Sequence, residues 1–261
     1  MKLSAWCSTV AVLLAAGLLA ACNDQQPATP VAKAPAPKAQ PERPAPTAVT
    51  WPPPASADTP VAADLLADNW EFVIDASGSM GSSACGTGGH PRMETAKSGV
   101  IKFSQSLPEK VNRGLVVFSE RSRPGIQEWL KLGSGNGAEF ARLISTIQPQ
   151  GGTPLRSAIQ LAAKLLTAQA QSQRGYGTYH LVVVTDGEAD EGEDPGPYTK
   201  NLVTTTAIVV HVIGFCVDGK HSLDLKGYTQ YASASNPATL EQGLKAILAE
   251  SSSFTDSKFP K

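Results

Sequence analysis

The sequence predicts an α/β protein: a doubly wound, mostly parallel central sheet with an antiparallel edge strand and helices on both faces, a Rossmann-like arrangement. Three observations carry this expectation. Short unbroken apolar runs, Leu115 to Phe118 and Leu181 to Val184 among them, have the length and composition of strands covered on both sides. Between such runs lie stretches with apolar residues every three or four positions, so strands alternate with amphipathic helices. Finally, Pro91, Pro154 and Pro237 stand where those periodic stretches open, and the first turn of a helix tolerates a missing N–H.

In chain order, the first strand is Trp70 to Asp75, and a glycine-rich loop with Gly81, Cys85, Gly86, Gly88 and Gly89 follows it. Met93, Ala96, Val100, Phe103 and Leu107 give the next helix one buried face. Leu115 to Phe118 is a central strand. After the charged turn Glu120 to Pro124, Ile126 to Leu132 alternates and contains charge, as an edge strand returning in a hairpin does. Phe140, Leu143, Ile144 and Ile147 mark a short helix, and Leu155, Ile159, Ala162, Leu165 and Leu166 the stripe of a longer one. Leu181 to Val184 is a strand ending in Thr185-Asp186-Gly187. A helix over about 197–204, a strand from Ala207 to Phe215 and a weaker strand from Tyr228 to Ala232 come next. Asn236 caps the last helix, whose Leu240, Leu244, Ile247 and Leu248 face inward.

The first part of the chain is built differently. Lys2 precedes an apolar run from about Val10 to Ala21 that is too short and too rich in Ala and Gly for a membrane span of about 20 strongly apolar residues. Its ending, Leu19-Ala20-Ala21-Cys22, resembles a bacterial lipoprotein signal, which implies cleavage after residue 21 and acyl chains such as palmitate on Cys22; an ordinary cleaved signal is the alternative. Several acyl chains anchor stably where one is marginal. Residues 22–68 hold eleven of the chain's 20 prolines and read as a tether, extended at about 3.1 Å per residue and able to reach about 120 Å from a membrane. The folded domain then spans 69–251 and a short tail 252–261. With 22 basic against 23 acidic residues, there is no general attraction for nucleic acid or anionic lipid. In an exported chain the two remaining cysteines, Cys85 and Cys216, are candidates for a disulfide that closes about 130 residues and contributes about 4 to 5 kcal/mol, or else are separate thiols.

The chemistry concentrates at strand ends. Asp75-Ala76-Ser77-Gly78-Ser79 places a carboxylate and two hydroxyls in a turn after the first strand, a hard-oxygen cluster suited to Mg²⁺. Thr153 opens a helix and Asp186 ends a strand on the same predicted face, beyond the carboxyl ends of the strands, where ligands of doubly wound sheets sit. Glu188, Asp190, Glu191, Glu193 and Asp194 form an acidic loop that reads as solvated and biases the local field. His90, His180, His211 and His221 lack metal-ligand spacing such as H-E-x-x-H and read as ordinary loop or core residues.

Together, D-x-S-x-S at 75–79, G-G-T-P-L at 151–155 and T-D-G-E at 185–188 resemble the von Willebrand factor A-type domain and its metal-ion-dependent adhesion site. The resemblance covers about residues 69–251, and the phrases LVVFS, PLRSAIQLAAKLL and HVIGF look like those of exported bacterial members. It implies that Ser77 and Ser79 bind Mg²⁺ or Mn²⁺ directly, Thr153 directly or through water, and Asp75 and Asp186 mainly through water and hydrogen bonds to the serines. It further implies a coordination position open to a Glu or Asp carboxylate of a protein partner.

The expected function is therefore a membrane-anchored, divalent-cation-dependent protein-binding module for adhesion or envelope assembly, facing periplasm or exterior. Asn23 after the modified cysteine, in place of aspartate, points toward the outer membrane. The alternative is a metal-dependent hydrolase acting on envelope substrates. Against it, the chain lacks a D-x-D-x-T phosphatase motif, a G-x-S-x-G elbow and a G-x-x-x-x-G-K-[ST] phosphate loop.

Overall fold

The computed structural model describes residues 50–83, 89–217 and 221–252. Its centre is a six-stranded sheet of order β3-β2-β1-β4-β5-β6. The strands are β1 (Asp68–Asp75), β2 (Asn112–Phe118), β3 (Ile126–Gly133), β4 (Thr178–Thr185), β5 (Ile208–Phe215) and β6 (Gln230–Ala234). The β2–β3 pair is antiparallel and the others are parallel, as the sequence predicts. The last strand begins two residues later than Tyr228, which instead closes a turn through its N–H to Leu225 O and lies under the Lys200 ammonium.

Helices α1 (Arg92–Ser106), α2 (Gly137–Thr146) and α5 (Pro237–Ser252) cover one face; α3 (Leu155–Ser172) and α4 (Gly196–Thr205) cover the other. Alternation along each strand divides the core. Trp70, Phe72 and Ile74 point to the first face with Leu115, Val182 and Ile213, while Val73 points to the second with Val116, Val183 and Val212. Ala158, Ala162 and Ala163 on α3 are buried there, and their small side chains bring that helix close to the sheet. Asn236 caps α5 as expected: its Oδ1 accepts Thr239 N–H at 3.0 Å, and Thr239 Oγ1 accepts Asn236 N–H in return.

The tether is expected to run to residue 68, but from Trp51 onward the chain is laid on the domain. Trp51 packs edge-on against Tyr179 with ring centroids 5.0 Å apart, and Ala62 N–H donates to Ser172 O. Gln173, buried at the end of α3, donates to Ala67 O and accepts from Asn69 Nδ2. One indole and these backbone bonds, invisible to a proline count, draw residues 51–67 out of the tether. The expected signal, Cys22, the start of the tether to residue 49 and the tail from 253 lie outside the described residues. Among the described residues no helix is long and apolar enough to cross a membrane.

Candidate metal centre

Strand order reverses between β1 and β4: the chain runs from β1 outward through β2 and β3, then returns to lay β4 on the other side of β1. The carboxyl ends of these two adjacent parallel strands are where such a sheet forms its crevice. β1 ends in Asp75 and β4 in Thr185, followed by Asp186, so topology alone brings two carboxylates 111 residues apart to one place.

Asp75 is fully buried and both its oxygens are engaged. Oδ1 accepts the Ser77 N–H at 2.7 Å, which shapes the turn, and Oδ2 accepts the Thr185 hydroxyl at 2.6 Å. Burial pushes its pKa up to about 6, against the pull of the Ser77 and Thr185 hydrogen bonds. A 3₁₀ turn over Gly78–Gly81 follows, with Met80 buried beneath and Ser79 exposed at the mouth. The Ser77 and Ser79 hydroxyls lie 3.0 Å apart, and Ser79 Oγ donates to Asp186 Oδ1 at 2.7 Å. The other Asp186 oxygen accepts from Arg92 Nη1 at 2.8 Å.

The loop before α3 is fastened to this turn. Gly78 N–H donates to Gly151 O and Gln150 N–H to Ala76 O, while the Ser119 hydroxyl donates to Gly152 O. Gly151 has φ 92°, a left-handed conformation that favours glycine, and lies beside Ser119. Thr153 follows; it is buried, and its N–H donates to Asp190 Oδ2 at 2.7 Å. The structure therefore brings Asp75, Ser77, Ser79 and Asp186 into one hydrogen-bonded chain and holds the Thr153 loop beside it.

The donor set fits a hard divalent cation. The hydroxyls of Ser77, Ser79 and Thr153 and the carboxylates of Asp75 and Asp186 are all hard oxygen donors, the set such a cation prefers. Among the described residues no group of three or more His, Cys, Asp and Glu side chains is arranged to hold a metal.

Several contributors had no signal in the sequence reading. Thr185 lies inside T-D-G-E, a motif that gives it no separate role, and Arg92 lies outside every motif. His221 accepts Leu223 N–H at Nδ1, which leaves Nε2 to donate to Gly187 O at 2.9 Å and steady the turn after Asp186. The acidic loop is only partly solvated: besides Asp190, Glu193 accepts from Ser157 N–H and Oγ, and Asp194 from Gly196 N–H. These carboxylates fix the starts of α3 and α4, which explains their density. His180 and His211 are core residues, stacked under Trp70.

A doubly wound sheet with an oxygen cluster at its switch point defines a class of binding folds. Residues 71–260 match the model of the von Willebrand factor type A domain, and the chain belongs to that family. The uncharacterized protein YwmD of Bacillus subtilis (strain 168) is 27% identical over 212 residues, covering 75% of this chain and 90% of that relative. Two solved structures share the fold. The pilus adhesin SpaC of Lactobacillus rhamnosus GG has a TM-score of 0.56 at 16% identity, covering 73% of this chain and 31% of SpaC. Proximal thread matrix protein 1 of the mussel byssus, with a zinc-occupied MIDAS motif, has a TM-score of 0.53 at 15% identity, covering 73% of this chain and 47% of that one.

Proposed function

We propose that this chain is an exported, membrane-anchored module that binds a protein partner through a divalent cation, Mg²⁺ or Mn²⁺, held at the β1/β4 switch point. The observation that carries the reading is the hydrogen-bonded chain from Ser77 through Ser79 to Asp186, open to solvent at Ser79 and closed beneath by fully engaged Asp75. Ser77, Ser79 and Thr153 would hold the ion through hydroxyls, while Asp75 and Asp186 orient those hydroxyls. When bound, the ion supplies an electron-poor centre that accepts a Glu or Asp carboxylate from the partner. The pilus adhesin and the zinc-occupied MIDAS of the mussel protein support this reading of the shared fold.

The residues favour binding over hydrolysis. Asp75 and Asp186 each have both oxygens engaged as hydrogen-bond acceptors, which suits them to orienting the surrounding groups. Anchoring is assigned to lipid on Cys22, with outer-membrane residence. A Cys85–Cys216 disulfide is part of the proposal: Cys216 is disulfide-bonded, and Cys85 lies outside the described residues.

Capture of envelope proteins on immobilised chain tests the function. Wild type retains a partner in Mg²⁺ and releases it in EDTA, and Ser77→Ala with Ser79→Ala retains none while staying folded. Capture that survives both treatments overturns the reading. Palmitate labelling is expected to disappear in Cys22→Ser.

A further inference from the structure

We infer that Arg92 is a positioning residue that tunes the metal centre, lowering its affinity for the bare cation and raising the loaded site's affinity for a carboxylate. The inference rests on the cation-binding reading above and extends it to a residue outside the motif.

The guanidinium comes from the first residue of α1, whose own N–H is fixed to Ser82 O at 2.8 Å. Its Nη1 takes one oxygen of Asp186, and Ser79 takes the other. The Asp186 side chain is fully buried and that of Arg92 is 16% exposed, so the ion pair is shielded from water and interacts strongly with its surroundings. Arg92 Nε is buried and without a hydrogen-bond partner among the described residues. The pair thus does not satisfy Arg92 in full, and its consequence is felt at Asp186.

Two consequences follow from charge. First, Asp75, Asp186 and, at the Thr153 N–H, Asp190 bring negative charge to the cluster, and the guanidinium offsets one unit of it. Cation affinity is therefore lower than it would be without Arg92. Second, the same guanidinium leaves the loaded site one unit more positive than it would otherwise be, which favours an incoming anion. Arg92 also fixes which Asp186 oxygen faces Ser79, so the Ser79 hydroxyl donates to the carboxylate and turns its lone pairs toward the ion. A residue that only held α1 in place would change both affinities in the same direction; Arg92 changes them in opposite directions.

Mn²⁺ binding to the full chain, followed by the EPR signal of the free ion, tests this. It is measured with sodium acetate as carboxylate probe and with sodium chloride at equal ionic strength, and thermal melts report folding. For wild type, acetate tightens Mn²⁺ binding, because the two ligands share one coupling free energy. Arg92→Gln and Arg92→Met are expected to bind Mn²⁺ roughly tenfold more tightly in chloride and to lose most of the acetate effect. Arg92→Lys keeps the charge and is expected to restore wild-type behaviour within about twofold. If wild type binds Mn²⁺ but the neutral variants bind it equally or more weakly, or if Arg92→Lys behaves as they do, the role of Arg92 is overturned while the metal reading stands. A wild type that binds no Mn²⁺ overturns both.

Discussion

Strand β1 carries two buried carboxylic acids four residues apart, and the chain treats them in opposite ways. Asp75, at the tip, has its oxygens met by the Ser77 N–H and the Thr185 hydroxyl. Glu71, in the middle, is fully buried with neither oxygen hydrogen-bonded among the described residues. Burial, then the neighbouring Glu128 charge, pushes the Glu71 pKa well above the usual carboxylate range. Room for that side chain comes from its register partner Gly114 on β2, where a Cβ would meet the Glu71 carboxyl. The difference teaches where this fold prepares for charge. At the strand tip polar groups are arranged around a carboxylate before any ligand arrives; in the sheet interior an acid is buried without a partner, at a cost to stability.

The comparison can be broken from either end. The largest effect is expected at the tip: Asp186→Ala removes the acceptor that orients Ser79, so the Mg²⁺-induced rise in melting temperature disappears and affinity falls by about 100-fold. In the interior, Gly114→Ala forces a methyl against the Glu71 carboxyl and is expected to cost about 2 to 3 kcal/mol in denaturant unfolding. Glu71→Gln has the opposite sign. The folded state holds the Glu71 proton to higher pH than the unfolded state, so the Glu71 contribution to stability is greatest below about pH 4.5 and declines as pH rises. The neutral glutamine removes that decline and is expected to add about 1 to 2 kcal/mol at pH 7, with little change at pH 4.

The histidine pair supplies a pH dependence of the other sign. His180 Nδ1 and His211 Nε2 lie 3.1 Å apart, a hydrogen bond that requires one unprotonated nitrogen. Burial lowers the pKa of His180 to about 4, and burial with the His180 neighbour lowers that of His211 to about 3. Both stay neutral in the folded state, whereas the unfolded chain protonates near 6.5. Their contribution is therefore complete above pH 6.5 and is lost as pH falls toward 4 and 3. A His180→Phe, His211→Leu variant is expected to flatten the fall in stability between pH 6.5 and 4. The smallest effect is Trp51→Ala, which strips one aromatic contact from Tyr179 and is expected to cost about 1 kcal/mol.

The sheet was legible because its signals are local. Leu181 to Val184 can be little other than a strand covered on both faces, and D-x-S-x-S at a strand end names its chemistry through residue types alone. The parts that escaped depend on contacts distant in sequence. Arg92 reaches Asp186 across 94 positions, and nothing around it distinguishes it from other first-turn arginines. Asp190 and Glu193 looked like solvated charge because their partners, the Thr153 and Ser157 N–H groups, lie more than thirty positions upstream. Trp51 was hidden by its prolines, since composition reports an extended chain without saying what that chain rests on. Glu71 sat unnoticed inside an apolar run, where only the register of β1 against Gly114 shows the space made for it.

The central claim is that hydroxyls at 77 and 79, oriented by buried carboxylates, hold a divalent cation. Calorimetric titration of Mg²⁺ into the full chain, wild type against Ser77→Ala with Ser79→Ala, tests it most directly. The account predicts saturable binding at one site in wild type and none in the folded double variant; a flat wild-type titration, or binding that survives both substitutions, would contradict it.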